Sequence, residues 1–78
     1  MSDDILARVC NLVAEILNVP PAQVNAGTTQ AELPAWNSLG HLNIMLSLEQ
    51  EFGVSLDPEQ VESMTSIAAI VGVLREHA

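Results

Sequence analysis

The chain has no lysine, no tyrosine and one cysteine, and its only basic residues, Arg8 and Arg75, stand against ten Asp or Glu in 78 residues. The formal charge is -8. Two cations cannot neutralise a phosphate backbone or an anionic lipid surface, which excludes charge-driven binding to nucleic acid or membrane. Schiff-base chemistry needs a lysine amine and is excluded too. A strongly acidic chain attracts partners with basic surfaces, because a field of one sign steers encounter with the other.

Cys10 has no second cysteine with which to form an internal disulfide. Small secreted folds usually carry a disulfide framework, so a reducing, cytoplasmic setting is expected. No apolar run approaches the roughly 20 residues of a membrane span. The start, Met1-Ser2-Asp3-Asp4, is acidic, unlike the basic opening of a signal peptide, and the initial Met suggests a complete free-standing protein. Metal-ligand patterns are missing: there is no Cys-x-x-Cys, no His pair at helical spacing and no EF-hand loop. With Trp36 and Phe52 as the only aromatics, the core has to be aliphatic.

What is present is enough apolar material, 49% of residues, for one domain spanning 1–78. Ile5, Leu6, Val9, Leu12, Val13, Ile16 and Leu17 recur at helical spacing and predict a first helix from about Asp3 to Leu17, with Ser2 as cap. Pro20-Pro21 prevents its continuation. A long connection follows, Asn18 to Asn37, with three of the four prolines and no obvious regular element beyond a turn near Gln23–Val24. So long a loop in so small a domain is functional or packed by its own side chains, and Val24 and Leu33 are the expected plugs. A second helix is predicted from about Ser38 to Phe52, capped by Asn37 or Ser38 and closed by Gly53. Val54 and Leu56 read as a short extended plug. A short third helix, Pro58 to Ser63, has Asp57 as cap, and a last one runs from a Thr65 or Ser66 cap to about Glu76. The expected architecture is all-α: a small four-helix bundle, three main helices and a short one, with a long first loop.

The second helix carries two apolar stripes. Ile44, Met45, Leu48 and Phe52 are enough to seat it, whereas Leu39, Leu42 and Leu46 fall on another side. A surface helix needs one stripe, and the domain has too few elements to bury both. Leu42 and Leu46 are therefore expected to meet a partner. Leu39 has two readings, loop cover or partner contact.

Chemistry-bearing residues are few. Ser38 and His41, three apart, sit where their side chains can meet. A Ser–His pair also needs an orienting acid, an oxyanion site and a pocket, so self-contained hydrolysis is not the expected activity. His41 falls near the core-facing edge and is expected to be packed or hydrogen-bonded; His77 is expected in solvent. Cys10 reads as a packing residue. Glu49, Glu51, Asp57, Glu59 and Glu62 form an acidic stretch, read first as a solvated face and second as a docking patch. Ser38 ends the long loop at the start of a helix, where a phosphate ester is tolerated without burying charge, although position alone suits a plain capping serine.

Trp36-Asn37-Ser38-Leu39-Gly40-His41-Leu42, followed by Leu48-Glu49-Gln50-Glu51-Phe52-Gly53-Val54, resembles the acyl and peptidyl carrier proteins, whose signature is Asp-Ser-Leu opening the second helix and Leu-Glu-x-Glu-Phe-Gly closing it. Leu17-x-Val19 with its prolines and Met64-Thr65-Ser66-Ile67 fit the same pattern. The resemblance implies a four-helix bundle without catalytic activity of its own. It also implies 4′-phosphopantetheine attached to Ser38 by a phosphopantetheinyl transferase, and an acyl or aminoacyl cargo held on the arm as a thioester. Its partners would be that transferase, an activating ligase and downstream transferases or synthases with basic docking patches. They would meet a monomer through Leu39, Leu42, Leu46 and Glu49. Two departures shape the expectation. Asn37 replaces the usual Asp, keeping a capping side chain but removing a charge beside the serine. Gly40, His41 and Asn43 replace the acidic or polar residues common in fatty-acid carriers. They point to a dedicated pathway: polyketide, nonribosomal peptide, aminoacyl or surface-polymer assembly. The alternative is a helical adaptor that uses the Leu39/Leu42/Leu46 face and bears no prosthetic group.

Overall fold

The structure, a computed structural model, describes residues 4–77; the expected cap Ser2 and the first-turn Asp3 lie outside them. Among the described residues four α-helices form: α1 (Asp4–Leu17), α2 (Ser38–Phe52), α3 (Pro58–Ser63) and α4 (Ile67–Glu76). The all-α bundle read from the sequence is what is found, with the predicted bounds of α2 and α3 reproduced. α1 packs against both α2 and α4. Val9, Val13, Ala14 and Leu17 from α1, Ile44, Met45 and Leu48 from α2, and Ile67, Ile70, Val71 and Leu74 from α4 make the aliphatic core.

The helix ends are set by side chains and by left-handed residues. Asn18, at φ 58°, turns the chain out of α1, with its own amide bonding to Glu15 and that of Val19 to Ala14. This paired closure satisfies carbonyls that the helix cannot reach itself. Asn37 caps α2, Asp57 caps α3 in a reciprocal pair with Gln60, and Ser66 caps α4. Gly53, at φ 66°, ends α2, a conformation that costs a side-chain-bearing residue energy.

The long connection is more ordered than expected. It contains two 3₁₀ turns, at Pro21–Gln23 and Gln30–Glu32. Val24 and Leu33 are buried as anticipated, and Trp36, 2% exposed, is the largest plug. Thr28 is buried with its hydroxyl oxygen accepting the Asn25 amide and its proton going to the Gln23 carbonyl. The loop is then tied across the molecule: the Gln30 amide donates to the Thr65 carbonyl at 2.8 Å, and the Ile67 amide to the Thr28 carbonyl at 3.0 Å. These backbone pairs satisfy groups that would otherwise be lost inside the fold, which is why the loop is held without a long regular element.

Candidate functional site

The loop delivers its last three residues to the head of α2, and each is fixed differently. Ala35 places its carbonyl oxygen so near the helix that a β-carbon at Gly40 would come within 2.8 Å of it and 2.9 Å of Leu17 Cδ2. Only glycine admits that approach. Trp36 is sunk in the core. Asn37 accepts the Gly40 amide through Oδ1 at 2.9 Å, while its own carbonyl accepts the amide of His41. Ser38, the first helical residue, is exposed.

A helix's opening amides have no carbonyl of their own to meet. Here Asn37 satisfies that of Gly40, and the amides of Ser38 and Leu39 belong to the same opening turn as the Ser38 hydroxyl. No acidic side chain occupies this first turn. The head of a 15-residue helix with no carboxylate in its first turn suits a phosphate ester.

His41 does not serve Ser38. The indole Nε1–H of Trp36 donates to His41 Nδ1 at 2.9 Å, and His41 Nε2 lies 2.7 Å from the Val61 carbonyl oxygen. An indole nitrogen only donates and a carbonyl only accepts, so Nδ1 is the bare nitrogen and Nε2 bears the hydrogen. Both ring nitrogens are thereby spent. The hydrolytic pairing of Ser38 with His41 is overturned for that reason, and the expectation of a hydrogen-bonded histidine is met. The Val61 carbonyl belongs to the last turn of α3 and also accepts the amide of the cap residue Met64, at 3.4 Å.

Beside Ser38 runs the second apolar stripe. Leu39, Leu42 and Leu46 are 67%, 52% and 50% exposed. The loop does not cover Leu39. Glu49 is half-buried, and its Oε2 accepts the Leu56 amide at 2.9 Å, closing the chain after Gly53. Sequence spacing carries no signal for that bond, or for the pairing of Trp36 with His41. The acidic stretch divides: Glu51 bonds Arg8 at 3.3 Å, Asp57 caps α3, and Glu59 and Glu62 are in solvent. The Arg8 guanidinium lies 4.3 Å over the centre of the Phe52 ring. Burial pushes the Cys10 thiol up, away from the reactive thiolate, as suits a packing residue. Among the described residues no group of His, Cys, Asp and Glu is arranged to hold a metal ion, and no helix is long and apolar enough to cross a membrane.

The arrangement presents an exposed hydroxyl at a helix head, with the exposed Leu39, Leu42 and Leu46 on the same helix. The family model for the phosphopantetheine attachment site matches residues 7–74, from the second turn of α1 to Leu74 in α4. Members of that family bear 4′-phosphopantetheine covalently on a serine. With nearly its whole length matched, and with this bundle and this helix head, the chain belongs to the phosphopantetheine attachment site family and is a phosphopantetheine-bearing carrier.

Proposed function

We propose that Ser38 is the serine that carries the arm, and that residues 1–78 form one carrier domain, acting as a monomer without catalysis of its own. The observation that carries this reading is the exposed Ser38 at the head of α2, with no carboxylate in the turn. A phosphopantetheinyl transferase would join the Ser38 oxygen to the phosphorus of the phosphopantetheine portion of coenzyme A, and the nucleotide portion would leave. When attached, the arm supplies a thiol that holds an acyl or aminoacyl group as a thioester. The chain contributes position: Asn37 and Gly40 hold the turn, and Ser38 and Leu39 offer amides to the phosphodiester.

Leu39, Leu42 and Leu46 form the face that meets partner enzymes: the transferase, the ligase that loads the cargo and those that consume it. The exposed acids Glu59 and Glu62 favour partners with basic rims. Near the serine itself the surface is neutral, so selectivity rests on apolar fit. That neutrality supports a specialised pathway (polyketide, nonribosomal peptide, aminoacyl or surface-polymer assembly) over housekeeping fatty-acid synthesis. A reducing cytoplasm suits both the lone thiol of Cys10 and a thiol-bearing arm. Incubation with coenzyme A and a promiscuous transferase tests the attachment, and mass spectrometry of the protein from its native host identifies the cargo. A cargo that proves to be a long fatty-acid chain would overturn the specialised assignment.

A further inference from the structure

We propose that His41 is a positioning residue for the modification of Ser38: in its neutral form it clasps the segment before the serine to α2 and α3, and a proton on Nδ1 releases the Trp36 end of that clasp. The consequence for modification rests on the assignment of the arm to Ser38; the clasp itself does not.

Three elements meet at the imidazole. Trp36 comes from the loop, two residues before Ser38; His41 is one turn into α2; Val61 lies in α3. The Trp36 and His41 rings also stack, with centroids 6.1 Å apart and planes 26° from parallel. Trp36 is buried, so its N–H has little access to a substitute acceptor in water. Between the indole and Ser38 stands only Asn37, the cap of α2, and on the indole's other side is Ala35, whose carbonyl leans on Gly40. The hold on Trp36 is thus a hold on the cap and on the turn that presents the hydroxyl.

Adding a proton to Nδ1 sets two N–H groups against each other and removes the acceptor for Trp36. The other bond survives, since Nε2–H remains a donor to Val61 and a charged donor is the stronger one. Acid therefore frees the Trp36 indole from the ring and spares the link to α3. The charged groups on the elements that meet at the ring are Glu49 and Glu51 on α2, Asp57, Glu59 and Glu62 on α3 and its cap, and Glu32 on the loop. On α2, Glu49 is engaged with the Leu56 amide. On α3, Glu59 and Glu62 flank Val61 in sequence and are exposed, and on the loop Glu32 is exposed. None bonds the ring, whose nitrogens are both taken.

The test compares the wild-type chain with His41→Gln and Trp36→Phe. A glutamine amide can accept from Trp36 and donate to Val61 without titrating. Initial rates of arm transfer are measured across about pH 8 to 5 with one transferase. Dividing wild type by His41→Gln at each pH cancels the enzyme's own profile. The expected ratio falls several-fold on acidification. In the unmodified protein, Trp36 emission and the amide shifts of Asn37 to Gly40 are expected to move with the titration of the His41 ring seen by NMR. In Trp36→Phe those amides are expected to follow the NMR signal of the ring much less, a comparison that stands even if His41→Gln fails to fold. A pH-independent rate ratio, or a His41 titration that leaves Trp36 emission and the Ser38 amide unmoved, overturns the proposal. If no chain takes the arm at any pH, the Ser38 assignment fails instead, and the emission and amide titrations decide the clasp alone.

Discussion

A β-carbon at Gly40 would stand 2.8 Å from the carbonyl oxygen of Ala35. The obstacle is backbone, which cannot rotate aside as the neighbouring Leu17 methyl can. Gly40→Ala should therefore force the loop off the head of α2, at a cost of about 1–3 kcal/mol. In a domain this small each kcal/mol lowers Tm by roughly 4–8 °C, so a thermal melt reads it easily. Arm transfer to Ser38 should slow in the same variant at temperatures where it remains folded.

Asn37 combines a capping oxygen with the absence of charge. Asn37→Ala removes the acceptor for the Gly40 amide and should cost about 0.5–2 kcal/mol in urea unfolding. Asn37→Asp keeps the cap and adds a negative charge at a helix head, which should stabilise by about 0.3–1 kcal/mol. An aspartate as destabilising as alanine would show that Asn37 does not cap through its side-chain oxygen.

Arg8 has two partners of different kinds. Its bond to Glu51 joins two half-exposed side chains and should be worth only about 0.2–1 kcal/mol, so Glu51→Gln should be nearly silent. Its stacking on Phe52 adds about 0.5–1 kcal/mol. Arg8→Ala should therefore cost clearly more than Glu51→Gln, and the gap should persist in high salt.

The exposed stripe gives the opposite pattern. Leu42→Asp removes no core contact and should leave stability within about 0.5 kcal/mol of wild type. Transfer from the chain to a partner enzyme should fall sharply, with KM carrying the loss. A variant that melts early would mean that the leucine is part of the core.

Thiol chemistry separates the two states of the carrier. With its thiol pushed up by burial, Cys10 offers little thiolate at neutral pH. The unmodified chain should react slowly with a thiol reagent, and the modified chain should gain one fast thiol on the arm.

Local rules made much of this molecule readable. Caps and prolines placed α2, α3 and α4, and the 3.6-residue period separated the buried Ile44, Met45 and Leu48 from the exposed Leu39, Leu42 and Leu46. Ser38 was visible as a helix-head serine, and its assignment came from the surrounding family pattern. What stayed hidden depends on contacts between elements. The spacing of Ser38 and His41 allows them to meet, but Trp36 and Val61 offer the ring better partners, and no periodicity encodes that competition. Likewise, nothing local says that Thr28 will bond Ile67 across the fold, that Glu49 will turn to the Leu56 amide, or that Gly40 is small because Ala35 leans on it.

The central claim is that Ser38 bears the arm. Its most direct test is the intact mass of the chain after incubation with coenzyme A and a promiscuous transferase, beside that of Ser38→Ala. The account predicts a gain of one phosphopantetheinyl group in the wild type and none in the variant. A wild-type mass that does not change, or a gain that survives Ser38→Ala, would contradict it. If biological activity then withstood Ser38→Ala but not Leu42→Asp, the chain would be an adaptor acting through its leucine face.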